Sequence, residues 1–248
     1  MIRYSDFNYS YGAVCALRSL NLEIGKNELF TVMGPTGSGK TTMLRCLNRL
    51  NDVVPSGRHS GSLYLDGVDV YDPRVDVTVL RRRVGMVFAL PAVLPTSIFE
   101  NVAYGPRRAG ERSKAALSET VERSLTAAAL WEEVKDRLGE RAETLSGGQQ
   151  QRLALARVLA LGPDVILLDE PTSGLDPIST LRIEDLLREL SRQYTIVLAT
   201  HNPQQAARVG SRVGFLMLGE LVEVAEAGDM FTRPRDPRTE AFVSGRLG

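Results

Sequence analysis

The feature that most restricts this chain is the run Gly34-Pro35-Thr36-Gly37-Ser38-Gly39-Lys40-Thr41. It satisfies the pattern G-x-x-x-x-G-K-[ST] at every position. Its glycines let successive backbone N–H groups turn toward one anion, and a helix opening at Lys40 adds the positive end of its dipole. The context suits this. The preceding Leu29-Phe30-Thr31-Val32-Met33 is continuously apolar, as expected of a strand buried on both faces, and residues 40–50 read as helix. Lys40 is expected to reach the β and γ phosphates of a nucleoside triphosphate, and the Thr41 hydroxyl to ligate Mg²⁺. The expected nucleotide-binding set is Gly34, Pro35, Thr36, Gly37, Ser38, Gly39, Lys40, Thr41 and Thr42.

Strand and helix alternate again in the last third. Residues 165–168 and 195–199 are apolar strands, 177–192 and 204–209 are helical, and 213–218 is a further strand. Such alternation means a mainly parallel sheet covered by helices. Near the N-terminus, Leu20, Leu22 and Ile24 alternate with Asn21 and Glu23, and residues 62–65 close at Asp66-Gly67, a hairpin signal. That portion is expected to be antiparallel. From about residue 97 to 161 strand signals vanish, and residues 113–129 have helical composition. The expected architecture is one α/β domain over 1–248. Residues 1–88 and 153–248 form the core with its β portion, and 89–152 form a helical insertion carrying no strands.

Composition excludes several classes. The chain's 248 residues carry 30 Lys+Arg against 30 Asp+Glu, and this zero balance argues against general nucleic-acid binding. Cys15 and Cys46 lack metal-ligand spacing and read as small hydrophobes in a reducing compartment. Residues 1–10 are too polar for a signal peptide. The longest uncharged run, 84–99, is broken by Gly85, Pro91 and Pro95, so no bilayer span is expected. Arg81-Arg82-Arg83 reads as a solvated helix end, Trp131 as a residue packed in the helical insertion, and His59 as a bystander in a Gly/Ser-rich loop.

Two further motifs bear on chemistry. The strand 165–168 ends in Asp169-Glu170, at the sheet edge where ligands of open α/β folds sit. Asp169 is the expected metal carboxylate and Glu170 is placed to polarise a water. His201 follows the next strand and emerges at the same edge, able to donate to a γ-phosphate. Leu145-Ser146-Gly147-Gly148-Gln149 opens another helix whose N-terminus faces an anion. One chain has little use for two separate phosphate cradles.

The phosphate loop combined with LSGGQ resembles the ATP-binding-cassette family, over nearly the whole chain. The resemblance implies the P-loop NTPase (RecA-like) fold with an N-terminal antiparallel β subdomain and an inserted helical subdomain. It implies a head-to-tail dimer in which Ser146, Gly147, Gly148 and Gln149 close the partner's nucleotide site. It further implies that Tyr11 stacks on adenine, that Asp176 belongs to a D-loop at the dimer interface, that His201 is the switch histidine, and that Glu170 with Lys40 is catalytic. Residues 47–52, 129–138, 147–152, 200–202, 204–208, 219–223 and 234–240 are similar to the phosphate-importing branch. For that branch the resemblance implies a peripheral ATPase on the cytoplasmic face of the cell membrane. Its partners are two membrane permease subunits and, indirectly, an extracytoplasmic phosphate-binding protein; its cofactor is Mg²⁺ with ATP as substrate; nucleic acid is not a partner.

One position departs from the family. Ala89 stands where a glutamine usually helps hold Mg²⁺ and water, and alanine has no polar group for either task. Three readings stay open: water fills the place, a neighbour substitutes, or hydrolysis is severely weakened. Two alternatives also stand, the same engine serving molybdate, tungstate or an amino acid, and a nucleotide-binding regulatory module. A cassette acting on DNA or ribosomes is disfavoured by the lack of a heptad run or a second phosphate loop.

Overall fold

Two sheets organise the computed structural model, which describes residues 2–247. The ends of the expected domain, Met1 and Gly248, lie outside the described residues. The strands are β1 (Ile2–Tyr11), β2 (Val14–Ile24), β3 (Leu29–Met33), β4 (Gly57–Leu65), β5 (Val68–Asp69), β6 (Val84–Val87), β7 (Val165–Asp169), β8 (Thr195–Thr200), β9 (Arg212–Met217) and β10 (Glu220–Glu226). The helices are α1 (Lys40–Leu47), α2 (Val77–Arg83), α3 (Ile98–Arg108), α4 (Lys114–Ala127), α5 (Trp131–Val134), α6 (Gly147–Leu159), α7 (Pro177–Leu190), α8 (Pro203–Val209), α9 (Ala227–Thr232) and α10 (Pro237–Val243). The first sheet, in order β2-β1-β4-β5, is antiparallel. The second, β10-β9-β3-β8-β7-β6, is parallel except for its edge strand β10.

The central strands β3, β7 and β8 are buried at every position, which is why their sequences show no alternation. Their side chains still divide by the period of two. Ile166, Leu168, Ile196 and Leu198 join one core with Leu117, Val121, Leu125 and Leu153 of the helices that follow residue 89. Val165, Leu167 and Val197 join a second core with Met43, Leu44 and Leu47 of α1 and with Phe7, Leu17 and Leu63 of the antiparallel sheet. Helix α1 is thus sandwiched between the two sheets. A third, smaller core of Phe215, Met230 and Phe242 ties the C-terminal helices α9 and α10 to the edge of the large sheet. Among the described residues no helix is long and apolar enough to cross a membrane.

Several elements differ from the sequence reading. Helix α1 ends at Leu47, earlier than residue 50, because Arg49 adopts a left-handed φ of 56° and a 3-10 turn, Leu50–Val53, follows. Strand β1 shows no clean alternation because a bulge at Asp6 (φ 44°) shifts the buried set from Ile2 and Tyr4 to Phe7 and Tyr9. Strands β6 and β10 are short or half-covered edge strands, with too little apolar pattern to announce themselves. His59 is no loop residue: it lies in β4, with its ring 3.8 Å from that of Tyr71. The arginine triplet does end a helix, but only Arg82 is exposed. Arg81 donates to the carbonyls of Asn48 and Arg49, and Arg83 bridges Asp66 and Asp164. Cys46 is buried as expected, whereas Cys15 is exposed. Trp131 packs against the helical core.

Leu167 is fully buried on the α1 side of the large sheet. Leu167→Ala is expected to cost about 2–5 kcal/mol of unfolding free energy, read from the midpoint of a urea denaturation curve.

Candidate functional site

Strands β3, β8 and β7 run parallel and adjacent, with Met33 paired to Thr200 and Asp169 to Ala199, so their C-terminal ends share one edge. From β3 the chain enters the loop at Gly34, where a Cβ would fall on the Leu216 carbonyl. Gly37 and Gly39 take φ of 78° and 107°, left-handed conformations that side chains disfavour. Helix α1 then opens from Gly39 with no side chain capping its first turn, leaving those N–H groups for an anion. The Ser38 hydroxyl inside the loop is buried without a hydrogen-bond partner, as in a cradle built around a ligand.

Lys40 is buried, and its Nζ donates to the carbonyls of Gly34 (2.7 Å) and Pro35 (2.9 Å). Burial lowers its pKa, opposed by the nearby Glu170 and Asp169. Across the sheet edge, the Thr41 hydroxyl donates to Asp169 Oδ1 at 2.9 Å. Burial raises the pKa of Asp169, against the pull of that hydrogen bond and of Arg45. These adjacent oxygens fit Mg²⁺, which binds through one or two protein groups plus substrate phosphates. No cluster of three or more His, Cys, Asp or Glu suited to a metal occurs among the described residues.

Glu170 follows β7 in a left-handed conformation (φ 51°), held by its N–H donating to Ala199 O at 2.9 Å. This turn aims the carboxylate between two cationic or titratable partners. Oε1 lies 4.0 Å from Lys40 Nζ, and Oε2 lies 2.7 Å from His201 Nδ1. Lys40, Glu170 and His201 thus form one line at the mouth of the loop.

The loop opens onto a cavity of about 480 Å³ lined by Thr36 to Thr42, Glu170, and a wall that the sequence reading missed. That wall is Val14, Ala16 and Arg18 of β2 with the turn Leu218–Gly219. The turn's left-handed pair (φ 50° and 82°) and its hydrogen bonds from Gly219 N to Ser38 O and from Arg18 N to Gly219 O clamp the loop from outside. The Leu-Gly dipeptide was the available signal, but a turn alone does not say what it leans on. Tyr11 does not line this cavity. It sits beside it, with its hydroxyl 3.4 Å from Thr42 Oγ1.

Ser146, Gly147, Gly148 and Gln149 are not brought to the cradle of their own chain; none of them lines it. They open α6 as a closed capping box, with Gln149 N–H donating to Ser146 Oγ and Ser146 N–H to Gln149 Oε1. The Gln149 amide also donates to Glu133, which in turn binds Arg152. A Cβ at Gly148 would stand 2.6 Å from Ser179 Oγ, so this turn packs on the start of α7. There Asp176 is the N-cap, accepting from Ser179 N at 2.9 Å and from Ser179 Oγ at 2.6 Å. Ala89 lies just beyond β6, and the preceding carbonyl of Phe88 accepts from Gln151 of α6 at 2.9 Å.

Comparison with known proteins places the chain in a family. The family model for ABC transporters matches residues 17–173. The chain is 52% identical to the phosphate import ATP-binding protein PstB 1 of Vibrio parahaemolyticus over 247 residues, covering 100% of this chain and 91% of that protein. Among solved structures it resembles a dimeric ATP-binding cassette in a post-hydrolysis state bound to ADP and Pi. The TM-score there is 0.77 at 32% identity, over 92% of this chain and 99% of that one. It also resembles a subunit of the cbiONQ ABC transporter complex of Clostridium perfringens, with a TM-score of 0.83 at 25% identity over 99% and 96% of the two chains.

Burial makes the ionised Asp169 costly in the fold, so its folded pKa lies above the unfolded value and its charge destabilises the chain at neutral pH. Asp169→Asn removes that charge and keeps an oxygen for the Thr41 hydroxyl. It is expected to stabilise the nucleotide-free protein by about 0.5–2 kcal/mol while removing Mg²⁺-dependent turnover. Calorimetry with a phosphate-release assay reads both.

Proposed function

This chain belongs to the ABC transporter family, and we propose that it is the ATP-hydrolysing subunit of an importer of inorganic phosphate. The observation that carries the enzymatic reading is the line Lys40–Glu170–His201 across the mouth of a glycine loop. The cargo reading is supported by the 52% identity to a phosphate import protein along the full chain. In this reading the chain is a single domain over 1–248, with 89–152 as its helical part. It works at the cytoplasmic face of the membrane, against two permease subunits supplied through an extracytoplasmic phosphate-binding protein.

The site residues then take these roles. Tyr11 carries the adenine, and Gly34 through Thr42 hold the phosphates. Thr41 and Asp169 would hold Mg²⁺, which would supply charge neutralisation at the phosphate oxygens. A water at Glu170 attacks the γ-phosphorus in line; Glu170 takes its proton, the bond to the bridging oxygen breaks, and ADP and phosphate result. Lys40 leaves its loop carbonyls for the β and γ oxygens. His201 Nδ1 lies 2.7 Å from Glu170 Oε2, which leaves Nε2 as its ring nitrogen for a phosphate oxygen.

The exposed Ser146 turn supplies the missing side of the site from a second copy of the chain, arranged head to tail. Only the triphosphate spans both copies, so ATP favours the closed dimer and hydrolysis reopens it. The structural relative caught as a dimer with ADP and Pi supports this arrangement. In this reading Asp176, bonded to the Ser179 that packs under Gly148, belongs to the surface where the two copies meet.

Ala89 supports a second reading, a nucleotide-binding regulatory module with weak hydrolysis, because the position offers no side-chain oxygen. Glu170→Gln is expected to lower phosphate release by at least about 100-fold while ATP stays bound and the dimer fraction rises in sedimentation; undiminished turnover removes Glu170 from its role. Cells lacking this subunit are expected to lose uptake of labelled phosphate, and loss of another solute instead overturns the cargo. A purified chain that binds ATP but stays inactive with permease, even as Ala89→Gln, establishes the regulatory reading.

A further inference from the structure

The 3-10 turn that cuts α1 short carries a buried asparagine that the mechanism above does not use. Asn51 is 1% exposed. Its Nδ2 donates to the Thr42 carbonyl at 3.2 Å and to Cys46 Sγ at 3.1 Å. Because the carbonyl only accepts, the amide nitrogen must face it, which turns Oδ1 toward Tyr11. The Tyr11 hydroxyl donates to that oxygen at 2.9 Å and lies 3.4 Å from Thr42 Oγ1. The backbone carbonyl of Asn51 is engaged too, accepting from the Tyr9 hydroxyl at 3.3 Å. Tyr9 and Tyr11 also pack edge to face, with centroids 5.0 Å apart.

We propose that Asn51 is a positioning residue that ties the ring of Tyr11 to the phosphate-binding helix through the Tyr11 hydroxyl, and so sets where the adenine lies relative to the triphosphate. The inference rests on the reading of Tyr11 as the adenine platform. The tether limits the freedom of the Tyr11 ring. Tyr11 is the last residue of β1, half-buried at a sheet corner, and the exposed turn Gly12–Ala13 follows it. A ring in that place keeps several rotamers unless its far end is held, and stacking on a ring that must first be ordered costs affinity. The hydroxyl supplies the hold, and Asn51 connects it to the residue that follows Thr41 in the cradle. Left-handed Arg49, at the end of α1, is what brings Asn51 inward.

The test measures equilibrium binding of ATP and of inorganic tripolyphosphate, both with Mg²⁺, to the full chain and four variants. Tyr11→Phe keeps the ring and loses the tether, and is expected to weaken ATP binding about three- to tenfold with tripolyphosphate binding unchanged. Asn51→Ala is expected to weaken ATP binding similarly, and adding Tyr11→Phe to it is expected to cost nothing more. Tyr11→Ala is expected to weaken ATP binding further than Tyr11→Phe. If Tyr11→Phe binds ATP like the parent while Tyr11→Ala does not, the tether is overturned and the platform stands. If Tyr11→Ala also binds like the parent, the platform falls and the inference with it. Equal losses for ATP and tripolyphosphate also overturn the inference, since they indicate general damage to the cradle.

Discussion

The parallel pairing of β3, β8 and β7 is the constraint on which the rest of the site depends. These strands come from distant parts of the chain, yet their register puts Met33 beside Thr200 and Asp169 beside Ala199. Parallel strands share a C-terminal edge, so the glycine loop, the Asp169-Glu170 pair and His201 emerge together. Full burial of all three strands fixes that register, since sliding one would expose apolar rows on both faces.

The edge so formed holds charges under tension. Lys40 and Asp169 are both buried and both have pKa values moved toward their neutral forms by burial. Lys40 rests on loop carbonyls, Ser38 has an unpartnered hydroxyl, and Glu170 occupies a left-handed turn. Burial of Lys40 and Asp169 and the unpartnered Ser38 hydroxyl cost stability in the free chain, and these are the costs that an anionic ligand with a divalent cation would offset. A site prepared in this way spends fold stability on binding.

The glycine turn at Ser146 is built to a different standard. Its capping box is satisfied within the helix, its glutamine is tied to Glu133, and its glycines rest on α7. It is exposed at Ser146 and lines no part of its own cradle, which suits a surface offered to a second chain. The hydrogen bond from Gln151 to the Phe88 carbonyl joins this same helix to the segment carrying Ala89. The loop that lacks the usual glutamine is therefore held by its backbone rather than by the side chain at 89.

Much of this was legible in the residues themselves. The loop at 34–41, the apolar strands and the strand-end carboxylates each have a local cause, namely backbone freedom at glycine, two-faced burial and chain direction, and a local cause leaves a local pattern. Strand β1 was hidden because the bulge at Asp6 breaks its period, and His59 looked like loop because glycines and serines surround a position whose burial comes from Tyr71 and Phe7. The cavity wall at Leu218–Gly219 left only a turn signal that does not say what the turn leans on, and the carboxylate of Glu133 under Gln149 and the Asn51 link to Tyr11 left none, since each joins residues far apart along the chain. The sequence by itself determined the glycine loop, the strand-end carboxylates and the α/β class that displays them. Only the tertiary structure decided which groups touch, how Glu170 is shared between Lys40 and His201, and that the two glycine turns stand apart, because distance and register are properties of the packed sheet and not of any segment.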